Sequence, residues 1–230
     1  MIVHLSLSRQ GTDRTENRDV SGSAHNAGAC LYVIADGTSK PGSGELAQAL
    51  TSHLLDCFSS AAPSAVSCLD NALELTLAAL KHAHSNLCPD LPLASTSYLA
   101  LLMHDQSAVA IHAGDCCLGY VGSDQRVVWL SPPHCGPNWK GDLSHSFIAS
   151  SPARKRLLNC MSYRRPHEPA LQFINSVPDT TWVMATDGFW AGLSAEEQRE
   201  AIAGQTLDTC STEDDATFML LRTRELSCEK

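Results

Sequence analysis

Leu31-Tyr32-Val33-Ile34-Ala35-Asp36-Gly37 is the stretch on which the reading of this chain turns. Its apolar run has the length of a buried strand, and it ends by delivering one carboxylate and one approachable backbone carbonyl to the same point. Oxygen ligands of that kind suit a hard divalent cation. A second run, from Thr181 through Trp182, Val183 and Met184, ends the same way at Asp187-Gly188, and Asp214 stands just before a third run, Ala216 to Leu221. A single Asp-Gly is more often a turn than a site. Three carboxylates at the rims of three strand-like segments point instead to one shared metal cluster.

The chain has 230 residues, enough for one well-buried domain spanning 1–230. Its 16 Lys and Arg against 25 Asp and Glu give a net charge of -9, which excludes broad attraction to nucleic acid or to an anionic membrane. An acidic chain can still handle phosphate where metals neutralise the site. The ten Cys form no C-x-x-C pair and no zinc-type spacing, and Cys30, Cys57 and Cys68 fall in apolar patterns. They read as small core residues in a reducing compartment. The first residues lack the form of a signal peptide and no run reaches membrane-spanning length, so the expectation is a soluble, cytoplasmic protein.

Along the chain, Ile2 to Ser8 alternates as a half-buried strand and leads into a polar loop, Arg9 to His25. Leu46, Leu50, Leu54 and Phe58 recur every fourth position, with Ser43 as N-cap, and predict a helix. Leu69, Leu73, Leu77, Leu80 and Leu87 predict a second helix, ended by Pro89. From Ser97 to Leu130 four short β segments read as an antiparallel meander. Residues 131–177 read as a Pro-containing loop with one short helix near Arg154 to Cys160 and a basic cluster at Arg154, Lys155, Arg156, Arg164 and Arg165. Ser194 and Glu197 form a capping-box pattern before a helix through Ile202. Ala216 to Leu221 supplies a last strand, followed by a frayed tail over residues 222–230.

Five short motifs stand in order: Arg14-x-x-Asn17-Arg18-Asp19; Asp36-Gly37 with Gly44-Glu45; Ser95-Thr96 with Gly114-Asp115; Asp187-Gly188-Phe189-Trp190; and Asp214-Asp215-Ala216-Thr217. Together they resemble the motif set of the metal-dependent serine/threonine protein phosphatases of type 2C, the PPM family, in a compact form similar to bacterial members. The resemblance covers most of the chain. It implies an α+β fold, a four-layer αββα sandwich of two antiparallel sheets flanked by helices. It also implies that Asp36 bridges two Mn²⁺ or Mg²⁺ ions, that the Gly37 carbonyl binds one, and that Asp187 and Asp214 hold the other. Asp19 then acts through water and Asp115 serves a third ion. Two cations about 3.5–4 Å apart acidify water and neutralise a phosphate, so no Cys nucleophile is needed. By the same resemblance Arg14 binds two phosphate oxygens through its planar fork. His25, His53 and His134 are candidates for a general acid to the leaving oxygen.

The chain departs from the pattern at Arg18, where the family carries Glu, at Cys116-Cys117 after Gly-Asp, and at Thr38-Ser39-Lys40 after Asp-Gly. Arg18 is expected either to crowd the second cation or to add a phosphate contact. The implied activity is hydrolysis of phosphoserine and phosphothreonine on proteins, opposing a Ser/Thr kinase. The alternative is a catalytically weak or inactive phosphatase-like module that binds a protein partner or phosphoprotein.

Overall fold

The structure is a computed structural model describing residues 2–175 and 180–223. In chain order the elements are β1 (Ile2–Arg9), β2 (Asp19–Asn26), β3 (Ala29–Gly37), α1 (Ser43–Ser60), α2 (Leu69–Asp90), β4 (Ser95–His104), β5 (Ser107–Ala113), β6 (Cys117–Val121) and β7 (Val127–Trp129). They continue with α3 (His145–Ala149), β8 (Met161–Ser162), β9 (Ala170–Asn175), β10 (Thr181–Ala185), α4 (Asp187–Trp190), α5 (Ala195–Gly204) and β11 (Ala216–Thr223). One sheet has the order β1-β11-β10-β6-β7, and the other β2-β3-β4-β5-β9 with β8 added to β4. All the pairings are antiparallel.

The central strands are apolar on both faces because both faces are covered. Leu31, Val33 and Ala35 of β3, with Tyr98, Ala100 and Leu102 of β4, pack against Leu46, Leu50, Leu54 and Phe58 of α1 and Leu80 of α2. The alternate residues Tyr32, Ile34, Leu99 and Leu101 meet Trp182, Met184, Met219 and Leu221 of the opposite sheet. On the far side Val183, Ala185, Phe218 and Leu220 pack against Phe189, Trp190, Ala201 and Ile202. Three apolar layers thus separate the four layers of the αββα sandwich, as expected for the α+β class.

Several local expectations are corrected. Residues 19–26 are not loop but β2, missed because Ser21-Gly22-Ser23-Ala24 has little β propensity and is held by pairing with β3. The meander divides after β5: β4 and β5 pair in one sheet, while β6 and β7 pair in the other. Gly114 makes the crossing at φ +112°, where a Cβ would lie 2.0 Å from Ser97 Cβ. A side chain is excluded there both by conformation and by space.

Ser43 is not the N-cap of α1, which is Gly42. Its hydroxyl instead accepts the Ser95 N–H at 3.1 Å and so ties the helix start to β4. In residues 131–177 the short helix is α3, followed by a 3₁₀ turn at Pro152–Lys155, rather than a helix over 154–160. The edge strand β9 was also missed.

The Ser194–Glu197 capping box forms in both directions, at 3.3 and 2.7 Å. Of the tail, Arg222 and Thr223 belong to β11, and residues 224–230 lie outside the described residues. Nine described Cys are free; six are buried, but Cys30 and Cys57 are half-buried and Cys68 is exposed, so these three are not core residues.

Candidate active site

The two sheets bring five carboxylates to one end of the sandwich. Asp19, at the start of β2, stands directly opposite Asp36, near the end of β3. Like charges so placed repel unless something neutralises them. Asp115 follows the Gly114 crossing, Asp187 opens α4 just after β10, and Asp214 precedes β11. A cleft of about 680 Å³ is lined by Asp36, Asp115, Asp187 and Asp214 together with Arg14, within the range usual for ligand sites.

Gly37 is needed for packing as well as for its carbonyl: a Cβ there would meet the backbone of Ser43 at 2.6 Å. Its N–H donates to the Arg18 carbonyl at 3.1 Å, and Thr96 Oγ1 donates to the Asp36 carbonyl at 2.8 Å. These contacts hold the Asp36-Gly37 backbone while leaving the carboxylate facing the cleft.

Asp19 is buried. Thr186 Oγ1 donates to its Oδ2 at 2.8 Å, whereas Oδ1 is buried without a hydrogen-bond partner. Loss of hydration, opposed by the Thr186 and Thr217 hydroxyls, pushes Asp19 up to about 8. Burial and then the neighbouring charges of Asp19, Asp187, Asp115 and Asp214 push Asp36 well above the usual carboxylate range. Burial and Asp187 raise Asp115 to about 7, with Ser97 and Arg154 acting against the rise. Asp187 is also raised by burial, against the pull of Arg154. The cluster therefore resists carrying its full negative charge without an added cation.

Two carboxylates are answered by arginines. Arg14 donates from Nε to Asp214 Oδ1 at 2.7 Å and from Nη2 to the same oxygen, while Nη1 reaches Ser39 Oγ at 2.8 Å. Burial opposes the Arg14 charge, but the contact with Asp214 and the fields of Asp214, Asp215 and Asp36 outweigh it. Arg154, from the turn after α3, donates Nη1 to Asp187 Oδ2. Among the described residues no three Asp, Glu, His or Cys side chains converge as a closed metal-ligand set. The donor set nonetheless fits hard cations in kind. It is all oxygen, it is mutually repelling, and it includes the orphaned Asp19 Oδ1.

Other expectations change. Arg18 neither crowds the carboxylates nor faces the cleft: Nε bonds Glu16 at 3.1 Å and Nη1 bonds the Thr38 carbonyl at 3.1 Å. None of the three His candidates lines the cleft. His25 packs edge-on to Tyr32, His53 stacks on His82 between α1 and α2, and His134 stacks on His112 while accepting the Gly114 N–H.

Sequence reasoning did not assign Arg154, Asp215 or Trp190. Asp215 accepts the N–H groups of Gly11 and Arg18, both at 2.9 Å, and so fixes the loop that carries Arg14. Trp190 Nε1 donates to the Asp115 carbonyl at 2.7 Å and positions that residue. The adjacent Asp214-Asp215 pair was visible in sequence, with only its first member assigned. For Arg154 the basic cluster was the available signal.

The family model described as Protein phosphatase 2C matches residues 12–226. No curated protein matches the chain at a significant level. Among solved structures, an S. agalactiae serine/threonine phosphatase superposes with a TM-score of 0.81 at 18% identity, covering 97% of this chain and 100% of that one. The serine/threonine phosphatase Stp1 from Staphylococcus aureus gives 0.79 at 18% identity, covering 97% and 96%. PppA, described as a key regulatory component of T6SS in Pseudomonas aeruginosa, gives 0.78 at 17% identity, covering 96% and 97%.

Proposed function

Because this chain belongs to the protein phosphatase 2C family, we propose that it is a single catalytic domain that hydrolyses phosphoserine and phosphothreonine on proteins, using Mn²⁺ or Mg²⁺ and opposing a Ser/Thr kinase. The observation that carries this reading is the gathering of Asp36, Asp115, Asp187 and Asp214, from separate segments, at one cleft, with Asp19 paired directly opposite Asp36.

Two ions, with a third at Asp115, supply when bound the charge that acidifies water near neutral pH and neutralises the phosphate. Asp36, the Gly37 carbonyl, Asp187 and Asp214 would hold them. Thr186 fixes one oxygen of Asp19 and leaves the other free to accept a proton or hydrogen bond. Arg14, whose guanidinium is held by Asp214 and Ser39, would turn its fork to phosphate oxygens by exchanging the Asp214 contact. A thiol nucleophile is disfavoured, since burial and the neighbouring carboxylates push Cys116 and Cys117 well above the usual thiol range. We place the protein in the cytoplasm. The free thiols support this, and among the described residues no helix is long and apolar enough to cross a membrane.

The test is turnover of p-nitrophenyl phosphate and of a phosphothreonine peptide with Mn²⁺, with Mg²⁺ and with EDTA. Turnover of both that depends on the metal is expected. Binding of the peptide without turnover at any metal concentration would instead establish the silent phosphatase-like module.

A further inference from the structure

Six of the chain's 16 basic residues line this cleft, although the chain as a whole is acidic. Arg14 sits at the carboxylates. Lys155, Arg156, Arg164 and Arg165 form a wall above them, and Lys40 adds to the rim. All five rim and wall residues are exposed, and among the described residues none of them makes a salt bridge. What sets these five apart is their gathering at one cleft, where charges of one sign focus the local field and favour an anionic ligand.

The wall is held on fixed backbone. The Arg156 carbonyl accepts the Gly136 N–H at 2.8 Å, and the Leu158 N–H donates to the His134 carbonyl at 2.8 Å. The following segment, β8, pairs with Ser95 and Thr96 of β4. Behind it, His84 of α2 donates to the carbonyls of Ser162 and Arg165 at 3.2 and 3.0 Å, and Arg165 Nη1 donates to the Leu157 carbonyl at 3.0 Å. Asp13 and Glu213 also line the cleft, both exposed and linked through a backbone hydrogen bond of 3.1 Å. A bound chain therefore meets positive charge from residues 155–165 and negative charge from Asp13 and Glu213, which belong to separate segments.

We propose that the wall of Lys155, Arg156, Arg164 and Arg165 is a subsite for anionic groups flanking the phosphorylated side chain, so that the cleft takes phosphopeptides with carboxylates or a second phosphate on one flank. This rests on the phosphatase reading and names its substrate class. Exposed pairs of this kind are each worth a factor of about two to five, so three or four together give about a tenfold preference or more.

The experiment compares phosphothreonine peptides with neutral flanks, with Glu on one flank or on the other, and with a second phosphothreonine on either flank. Wild type is expected to favour one Glu-flanked peptide over the neutral one by about tenfold in kcat/KM, with the preference shrinking as salt rises. The doubly phosphorylated peptide distinguishes a phosphate-selective subsite from one that accepts any anion. In the variant Lys155→Ser/Arg156→Ser/Arg164→Ser the ratio should fall to about one, and Arg164→Glu alone should reverse it if the triple variant does not fold.

The same peptides are also measured by fluorescence anisotropy in EDTA, where binding is read without turnover. Lack of hydrolysis with a retained charge preference in binding would sink the phosphatase reading and keep the subsite. Equal handling of all peptides by wild type, a preference that survives the triple variant, or equally tight binding of anionic vesicles or RNA would overturn the subsite.

Discussion

The cleft has two parts built in opposite ways. Its floor consists of carboxylates placed at the ends of paired strands, where register alone fixes Asp19 against Asp36 and Thr96 beside the Asp36 carbonyl. Its wall, from the Pro152–Lys155 turn to Arg165, has little regular structure beyond the two residues of β8, and is held by backbone contacts to His134 and Gly136 and by the His84 imidazole. The floor cannot shift without breaking a sheet, whereas the wall can change its side chains at little cost to the fold. Chemistry that needs fixed distances belongs on the first, and discrimination among substrates on the second.

The comparison breaks most visibly at Asp36. Asp36→Asn removes a charge from the cluster that we propose holds the ions and should lower turnover by about 10³-fold, the worth of several kcal/mol of charge stabilisation. The same change relieves repulsion, so the Tm of the variant in EDTA should exceed that of wild type. Calorimetry and steady-state assays check both halves, and a variant that kept full activity with metal bound would refute the floor's role.

The floor's raised carboxyls also set a pH dependence. Asp19 is pushed to about 8 and Asp115 to about 7 in the native state, against an ordinary value of 3.8. The native state thus holds protons that the unfolded chain has lost. Below about pH 4 both states are neutral at these groups, so stability in EDTA should fall as pH rises from about 4 to about 8. A drop of about 5 °C in Tm between pH 5.5 and 8.5 is expected, which Mn²⁺ should restore at the upper end. A flat or rising Tm across that window would contradict it.

Arg154 joins wall to floor. Its guanidinium occupies Oδ2 of Asp187 and so competes with a cation for that carboxylate, and Arg154→Ala should tighten the Mn²⁺ midpoint by about tenfold. Isothermal titration reads this directly, and an unchanged midpoint would make the contact incidental. The smallest effect is expected at Arg18, whose guanidinium faces Glu16 and the Thr38 carbonyl. Arg18→Glu should move metal affinity and KM by less than about threefold. A larger shift in either would place Arg18 in the cleft.

The same division explains what the sequence could reveal. Asp36, Asp187 and Asp214 were legible because each borders a continuous apolar run, and burial on two faces is what makes such runs continuous. The sandwich came from the resemblance carried by the five motifs, with which those runs and the i, i+4 leucines of α1 are compatible. The wall was illegible because a five-residue helix and a 3₁₀ turn are too short to show a period, and an arginine's partner 33 residues away leaves no local trace. β2 was lost for a related reason: its small polar residues are extended only because β3 and α1 hold them so. The His candidates failed because residue type says nothing of which end of a strand or helix a side chain occupies. Arg18 was misjudged because its partners, Glu16 and the Thr38 carbonyl, lie in loops that periodicity does not describe.

The Asp214-Asp215 pair has a consequence for how the protein is made. Arg14 finds its carboxylate 200 residues later in the chain, and the loop around Gly11 waits for Asp215, 204 residues on. Contacts of such long sequence separation close late. On a ribosome adding about 5–20 residues each second, the first loop spends some ten seconds or more without its final partners. The nascent protein can therefore display its first strands and helices long before it holds a complete set of carboxylates, and phosphoproteins around the ribosome are spared an immature enzyme.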